Sequence, residues 1–341
     1  MMHTIKDVAK KANVSIATVS RIVNNQSGYS EETKRKVLAA IKELNYQPNA
    51  LARGLINKRT HTIGVLLPHF INAFGMELLH GIEEKAHEEG LSVIICSTDS
   101  FGAKTMKYLQ VLNEKRVDGV IIIGPELEEE YYDYVKKMDV PVVLLGTEKF
   151  DNRLPSVQVD NRAIAYSAVK HLIDKGHERI GMIAFHENGT SLRADGYRKA
   201  LEDNDIILNP ERIVFSSGFA FEDGVHFFRK LMLQAPDITA AYIISDEMAV
   251  GAITAADRLG IKVPHDVSII SHDNLRVADM SIPKLTAVSL PLRRMGRTAA
   301  EKVFQMIQTG RSAESSIMQH EIVERDSVCM LAKAVRAKQP C

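Results

Sequence analysis

The chain has 341 residues, with 43 Lys and Arg against 43 Asp and Glu, and three cysteines, Cys96, Cys329 and Cys341, whose odd number and wide spacing exclude a disulfide scaffold or a zinc site. No apolar run reaches the ~20 residues that cross a bilayer, and the first residues lack the apolar core of a secretory signal, so a reducing cytoplasm and no membrane partner are expected. The neutral total hides an uneven distribution: residues 1–60 hold eleven Lys/Arg and four acids, a net +7, which leaves −7 on the rest. A basic head attracts phosphates and its binding weakens with salt, whereas an acidic body does not cling to DNA.

In chain order, Thr4-Ile5-Lys6-Asp7-Val8-Ala9-Lys10-Lys11-Ala12 places Ile5, Val8, Ala9 and Ala12 at helical spacing. Asn13 suits the left-handed residue of a tight turn, and Ser15 is an N-cap for a second helix through Asn24. That helix buries Val19, Ile22 and Val23 and turns Ala17, Ser20, Arg21 and Asn24 outward. Small Ala17 permits close approach to base edges, Arg21 can donate two hydrogen bonds to guanine, and the hydroxyls of Thr18 and Ser20 suit phosphates. Two helices on a three-residue turn form a helix-turn-helix whose second helix enters the major groove. Thr4, Ser15, Ile16 and Tyr29 complete the expected contacts in this head. A third helix from Ser30 to Leu44 closes the core with Val37, Leu38, Ile41 and Leu44. Pro48 to Leu55 is a further helix-capable piece. Leu55 beside Arg53, Lys58 and Arg59 has the make-up of a minor-groove wedge, an apolar tip flanked by backbone-holding charge.

From His61 the period changes. Apolar strands are expected at Thr62–Leu67, Leu91–Cys96, Gly119–Ile123 and Pro141–Leu145, with helices at Met76–Glu89, Lys104–Lys115 and Glu128–Lys137 between them. A second series follows, with strands at Ile180–Phe185, Ala240–Ile244 and Val267–Ser271 and helices at Arg193–Asn204, Asp223–Leu233 and Glu247–Leu259. Continuous apolar strands alternating with helices mean parallel sheets covered on both faces. Two such halves leave a cleft at the carboxyl ends of their strands. Arg193 and Asp273 sit at those ends; a carboxylate accepts sugar hydroxyls and a guanidinium donates, unless the two simply pair and brace the halves.

The motifs Thr4-Ile5-Lys6-Asp7-Val8-Ala9, Val14-Ser15, Thr18-Val19-Ser20-Arg21, Tyr46-x-Pro48-Asn49 and Ala52-Arg53-Gly54-Leu55 together resemble the head and hinge of the lactose-repressor/galactose-repressor family. The resemblance runs through almost the whole chain. It implies an all-α helix-turn-helix head and hinge helix on an α/β body of two subdomains, like a periplasmic sugar-binding protein. The divisions expected are 1–47 for the head, 48–60 for the hinge and linker, and 61–341 for the body, with one subdomain at about 61–160 and 291–325 and the other at about 161–289. Helix Asn161–Lys175 would open the second half, the chain would return near Thr286–Ser289, and helix Leu292–Thr309 would finish the first half. The resemblance further implies a homodimer on a pseudo-palindromic operator, with Asn49, Ala52, Arg53 and Leu55 in the minor groove. It assigns effector contacts to Arg193, Asp273, Asn72, Phe74 and Phe219; Ser245, Asp246, Asp99 and Glu148 end strands and join that set.

Two departures stand out. Where the family often has Phe-Asp or Tyr-Asp, this chain reads His272-Asp273, which is expected to alter the pocket wall and make binding pH-sensitive. A catabolite-control branch of the family uses a phosphorylated phosphocarrier protein that docks on the helix matching Leu292–Arg297. Here Arg293 and Arg294 replace other residues, and Glu301 stands where that pattern has Arg, so a dedicated sugar-operon repressor is expected instead.

An enzyme is the rival class. Ser271-His272-Asp273 cannot form a triad, because neighbours on an extended strand point to opposite faces. Nucleotide-binding Gly-rich motifs and His-Glu-x-x-His are missing, so no catalytic residue, metal or cofactor is expected. A transport-binding protein, the second rival, would leave the basic head unexplained. Beyond Arg325 no leucine heptads follow, which disfavours a tetramer zipped at the C-terminus; a dimer through the body, near Met76–Ile82 and the second-half helices, is expected.

Overall fold

The computed structural model describes residues 3–23, 27–46, 59–68, 73–98, 104–124, 127–147, 153–185 and 191–331. Three helices make the head: α1 (Ile5–Ala12), α2 (Ile16–Val23) and α3 (Glu31–Glu43). Asn13 ends α1 with φ 53°, the left-handed turn residue, and Ser30 caps α3 by accepting from the Thr33 N–H at 3.2 Å. Val8, Ala9, Ala12, Val19, Ile22, Val37 and Ala40 form a small core of their own. Leu38, expected there, is 48% exposed. Val37, Ala40, Ile41 and Leu44 already complete the inward stripe at helical spacing, and Leu38, one residue on from Val37, lies about 100° round the helix from it.

The body's first half lays down β1 (Thr62–Leu67), α4 (Ala73–Glu88), β2 (Ser92–Ser97), α5 (Thr105–Glu114), β3 (Gly119–Ile123), α6 (Glu129–Lys137), β4 (Val142–Leu145) and β5 (Ser156–Val159). The second half repeats the plan with α7 (Asn161–Asp174), β6 (Ile180–Phe185), α8 (Leu192–Glu202), β7 (Ile213–Ser216), α9 (Phe221–Gln234), β8 (Ala240–Ile243), α10 (Asp246–Arg258), β9 (Ser268–Asp273), α11 (Arg276–Met280) and β10 (Thr286–Ser289). The chain then returns through α12 (Leu292–Thr309), β11 (Ser316–Met318) and β12 (Glu321–Val323). Two sheets result, ordered β11-β5-β4-β3-β1-β2 and β12-β10-β9-β8-β6-β7. Every pairing is parallel except β10 with β12.

Without the two late strands, both halves have the doubly wound order in which direction reverses between the first and third strands. Such switch points open a crevice at the carboxyl ends, here beside β1/β3 and β6/β8. Strands β1, β3 and β4 are buried almost throughout, as a sheet covered by helices on both faces requires. Strands β5 and β7, four residues each, are additions to the expected list; they are too short to show a period and one holds Gln158 and the other ends in Ser216.

The chain passes between the halves three times: from β5 to α7, from β10 to α12, and from β11 to β12. The last passage falls at residues 319–320, before the boundary near 325, because Glu321–Val323 pairs antiparallel with β10 of the second sheet. Helices α4 and α12 meet backbone to backbone. A Cβ on Gly81 would lie 1.9 Å from the Arg293 carbonyl oxygen, and one on Gly296 would lie 2.0 Å from that of Leu78. Arg293 and Glu84, then Arg297 and Glu88, pair along the edge of this contact. At its lower end the linker is fastened to the body. Asp118 accepts from the Thr60 and Thr62 N–H groups at 2.9 and 3.3 Å, and Arg59 donates to the Ile307 carbonyl at 2.7 Å.

Candidate functional site

In the head, α2 presents exposed Ser15, Ile16, Ala17 and Arg21, with Thr18 and Ser20 half-buried beside them. The Ser15 hydroxyl accepts from the Thr18 N–H at 3.1 Å and meets the Thr18 hydroxyl at 2.9 Å. This caps the helix and fixes two candidate phosphate ligands at its electropositive N-terminus. Thr4 is similarly engaged: its N–H and hydroxyl both donate to Asp7 at 2.8 Å, and these bonds hold the Asp7 carboxyl below its usual range. Tyr29 packs half-buried on the head core. Lys11 is paired with Glu43 and Lys36 with Glu32, whereas Arg21 makes no ion pair with a described residue. The arrangement is a reading helix with a bare, basic face. Asn24, Asn49, Ala52, Arg53 and Leu55 lie outside the described residues.

In the body, the second sheet brings several of the sequence-derived residues to one end. Arg193, in the first turn of α8, donates through Nε to Asn161 Oδ1 at 3.1 Å; Asn161 opens α7. Phe219 is 41% exposed and stacks on Phe185 with ring centroids 4.5 Å apart. Its loop is held by a Ser216 turn and by Ser245, whose hydroxyl donates to the Phe219 carbonyl at 3.3 Å. Asp273 ends β9 with φ 98°, a conformation L-residues rarely adopt, and its carbonyl accepts from the Leu290 N–H at 3.3 Å. Arg193 and Asp273 form no ion pair within 4.0 Å, so the pairing alternative does not describe this state. Phe74 opens α4 half-buried in the first half. Asn72, Asp99 and Glu148 lie outside the described residues. The two cavities seen elsewhere, of about 520 Å³ on α9 and about 950 Å³ beside the linker, include none of these residues.

Asp246 plays a different part from the one expected. It is wholly buried, and its two oxygens accept from the Ser271 hydroxyl and the Leu275 N–H, both at 2.5 Å. A carboxylate consumed in this way buttresses the β9 end and does not face a ligand. Burial, opposed by those two bonds, pushes its pKa up to about 6. Asp273 is raised well above the carboxylate range by burial and then by the nearby Asp246 charge, with Arg193 acting the other way.

His272 also corrects an expectation. It is fully buried rather than part of a pocket wall, and burial, with Arg193 and His320 adding repulsion, pushes its pKa well below 6.5. Burial thus pushes the imidazole and the two carboxyls in opposite directions, the first down and the others up. Sequence reasoning missed Asn161 and Phe185. Asn161 carried a signal, an amide beside the Asp160 that caps its helix; Phe185 carried only its place at a strand end.

A bare reading helix joined to an α/β body with a polar, partly charged strand end defines an effector-controlled DNA-binding regulator. The match to known proteins is of the same kind. Residues 4–49 match the model for bacterial regulatory proteins, lacI family, and residues 169–328 that for a periplasmic binding protein-like domain. Catabolite control protein A of Priestia megaterium is 36% identical over 336 residues, 96% of this chain and 99% of that protein. The lac repressor dimer bound to operator and the anti-inducer ONPF superposes with a TM-score of 0.86 at 27% identity, covering 96% of this chain and all of that one. The CelR–cellobiose complex gives 0.73 at 26%, covering 95% and 99%. The chain belongs to the lacI family of bacterial transcriptional regulators.

Proposed function

We propose that the protein is a cytoplasmic, homodimeric repressor of a carbohydrate-utilisation operon, released or engaged by a neutral sugar-like effector between the body's two halves. The observation carrying this reading is the gathering of Arg193, Phe219 and Asp273 at the carboxyl end of the second sheet. It supplies a guanidinium donor, an aromatic face for a ring and a carboxyl acceptor for hydroxyls. The cellobiose held by CelR and the operator held by the lac repressor dimer support it. The effector acts only through its different affinity for the two states of the body.

Exposed Met76 and Ile95 on the first half, and Met280 and Ile282 on the second, favour a dimer through the body. Ile82, at the end of the expected face, is fully buried, and Met76 and His80 are the exposed residues of that stretch. The test is titration calorimetry of the full-length protein against mono-, di- and oligosaccharides and their phosphates, with and without a palindromic operator. A sugar whose affinity changes when operator is present is the expected result. No response across the panel would favour the second reading, a catabolite-control regulator with a phosphocarrier co-regulator, which the relationship to catabolite control protein A recommends. Against it, Arg293 and Arg297 are already paired with Glu84 and Glu88, and Glu301 lies 3.2 Å from Arg297.

A further inference from the structure

We propose that His272 is a positioning residue for effector recognition: from behind the cleft it fixes how the Asp273 carboxyl group is presented. The inference rests on Asp273 as the effector's carboxyl partner, as read above, and adds a residue that never touches the effector.

His272 and Tyr242 are both fully buried. The Tyr242 hydroxyl lies 3.0 Å from His272 Nδ1, so one ring nitrogen is committed. The other, Nε2, has no hydrogen-bond partner and stands 3.7 Å from Asp273 Oδ1. A buried polar nitrogen left unpaired costs roughly 1–3 kcal/mol. A turn of the neighbouring Asp273 carboxyl group would relieve it. The Asp273 main chain is held by Leu290, so the gap closes by turning the carboxyl group about its own side-chain bonds.

Two arrangements pair both ring nitrogens of His272 in the row Tyr242–His272–Asp273, and they differ by one proton. In the first, the Asp273 carboxyl is protonated and donates to Nε2, while Nδ1–H donates to the Tyr242 oxygen. In the second, the carboxyl proton passes to Nε2, the Nδ1 proton leaves to solvent, and the Tyr242 hydroxyl turns to donate to Nδ1. Nε2–H then donates to an ionised Asp273, whose second oxygen is a full acceptor for an effector hydroxyl. The imidazole is neutral in both. The charged groups that set the balance come from every side: Asp246 and Glu247 from α10, Arg193 from α8, and His320 from the segment before β12. Tyr242 stays un-ionised because burial raises its pKa.

The experiment is long-range proton–nitrogen NMR of the full-length protein with ¹⁵N-histidine, titrated from acid to alkaline pH, alone and as Asp273→Asn and Tyr242→Phe. The expected result is a His272 ring neutral throughout, whose proton shifts from Nδ1 to Nε2 as pH rises, with the shift lost in Asp273→Asn and displaced in Tyr242→Phe. A ring protonated on both nitrogens at low pH, or one tautomer unmoved by pH in the parent protein, would overturn the proposal. Tyr242→Phe removes only a hydroxyl and serves if Asp273→Asn does not fold. None of these readouts needs a bound sugar, so their failure leaves the effector reading standing. Conversely, a sugar response that survives in Asp273→Ala would undo that reading while the tautomer shift persisted.

Discussion

Strands β4 and β9 occupy the same place in their sheets, each between the third and fifth strands of its half, and both are buried along their length. Yet β4 reads Val-Val-Leu-Leu and β9 reads Ser-Ile-Ile-Ser-His-Asp. Position in a doubly wound sheet demands burial, not apolarity. Polar groups are tolerated in β9 because nearly each has a partner: Ser271 on Asp246, His272 on Tyr242, and the Asp273 carbonyl on Leu290. The first half's strand is packing alone, whereas the second half's strand is packing interleaved with chemistry.

The largest expected effect sharpens that contrast on the apolar side. Leu144→Ala should cost about 3 kcal/mol in urea denaturation, by cavity formation, with no dependence on pH between 5 and 8. A pH-dependent loss would mean that β4 is coupled to titrating groups. On the polar side, the folded pKa of Asp246 lies above its unfolded value near 3.8. Its protonation therefore stabilises the fold fully below that value, and the contribution is lost as pH rises through about 6. The amplitude is at most about 3 kcal/mol. Melting curves of the parent and Asp246→Asn should differ in this acid limb; identical limbs would break the comparison.

Arg193→Ala and Asp273→Ala come next. Each should weaken effector binding by at least about tenfold, or 1.4 kcal/mol, while operator affinity measured by fluorescence anisotropy stays near that of the parent. The smallest effect belongs to the head: Leu38→Ala should change stability by no more than about 0.5 kcal/mol, since its side chain is largely wet. A large loss in thermal denaturation would return Leu38 to the core.

Much of this was legible in advance where period and length were both strong. Thr62–Leu67, Gly119–Ile123 and Ile180–Phe185 are read from the chain with the ends the structure has. Four-residue β5 and β7 show too few turns of any period to be read, and they form because neighbouring strands already offer an edge. The site divides in the same way. Arg193 and Asp273 announce themselves as charges at strand and helix ends. The inward role of Asp246 depends on Ser271 and Leu275, 25 and 29 positions away, and no local pattern carries a partner at that distance.

Helix α12 begins two residues after Leu290, whose N–H holds Asp273, and near its far end the Ile307 carbonyl holds Arg59 of the linker. Its 18 residues make an arm of about 27 Å. Because Gly81 and Gly296 bring its backbone against that of α4, the arm has no room to buckle toward its neighbour. A tilt of roughly 5° at the Asp273 end would thus arrive at Arg59 as a throw of about 2 Å, the geometry of a lever in which the fulcrum, the rod and the load are consecutive parts of one folded chain.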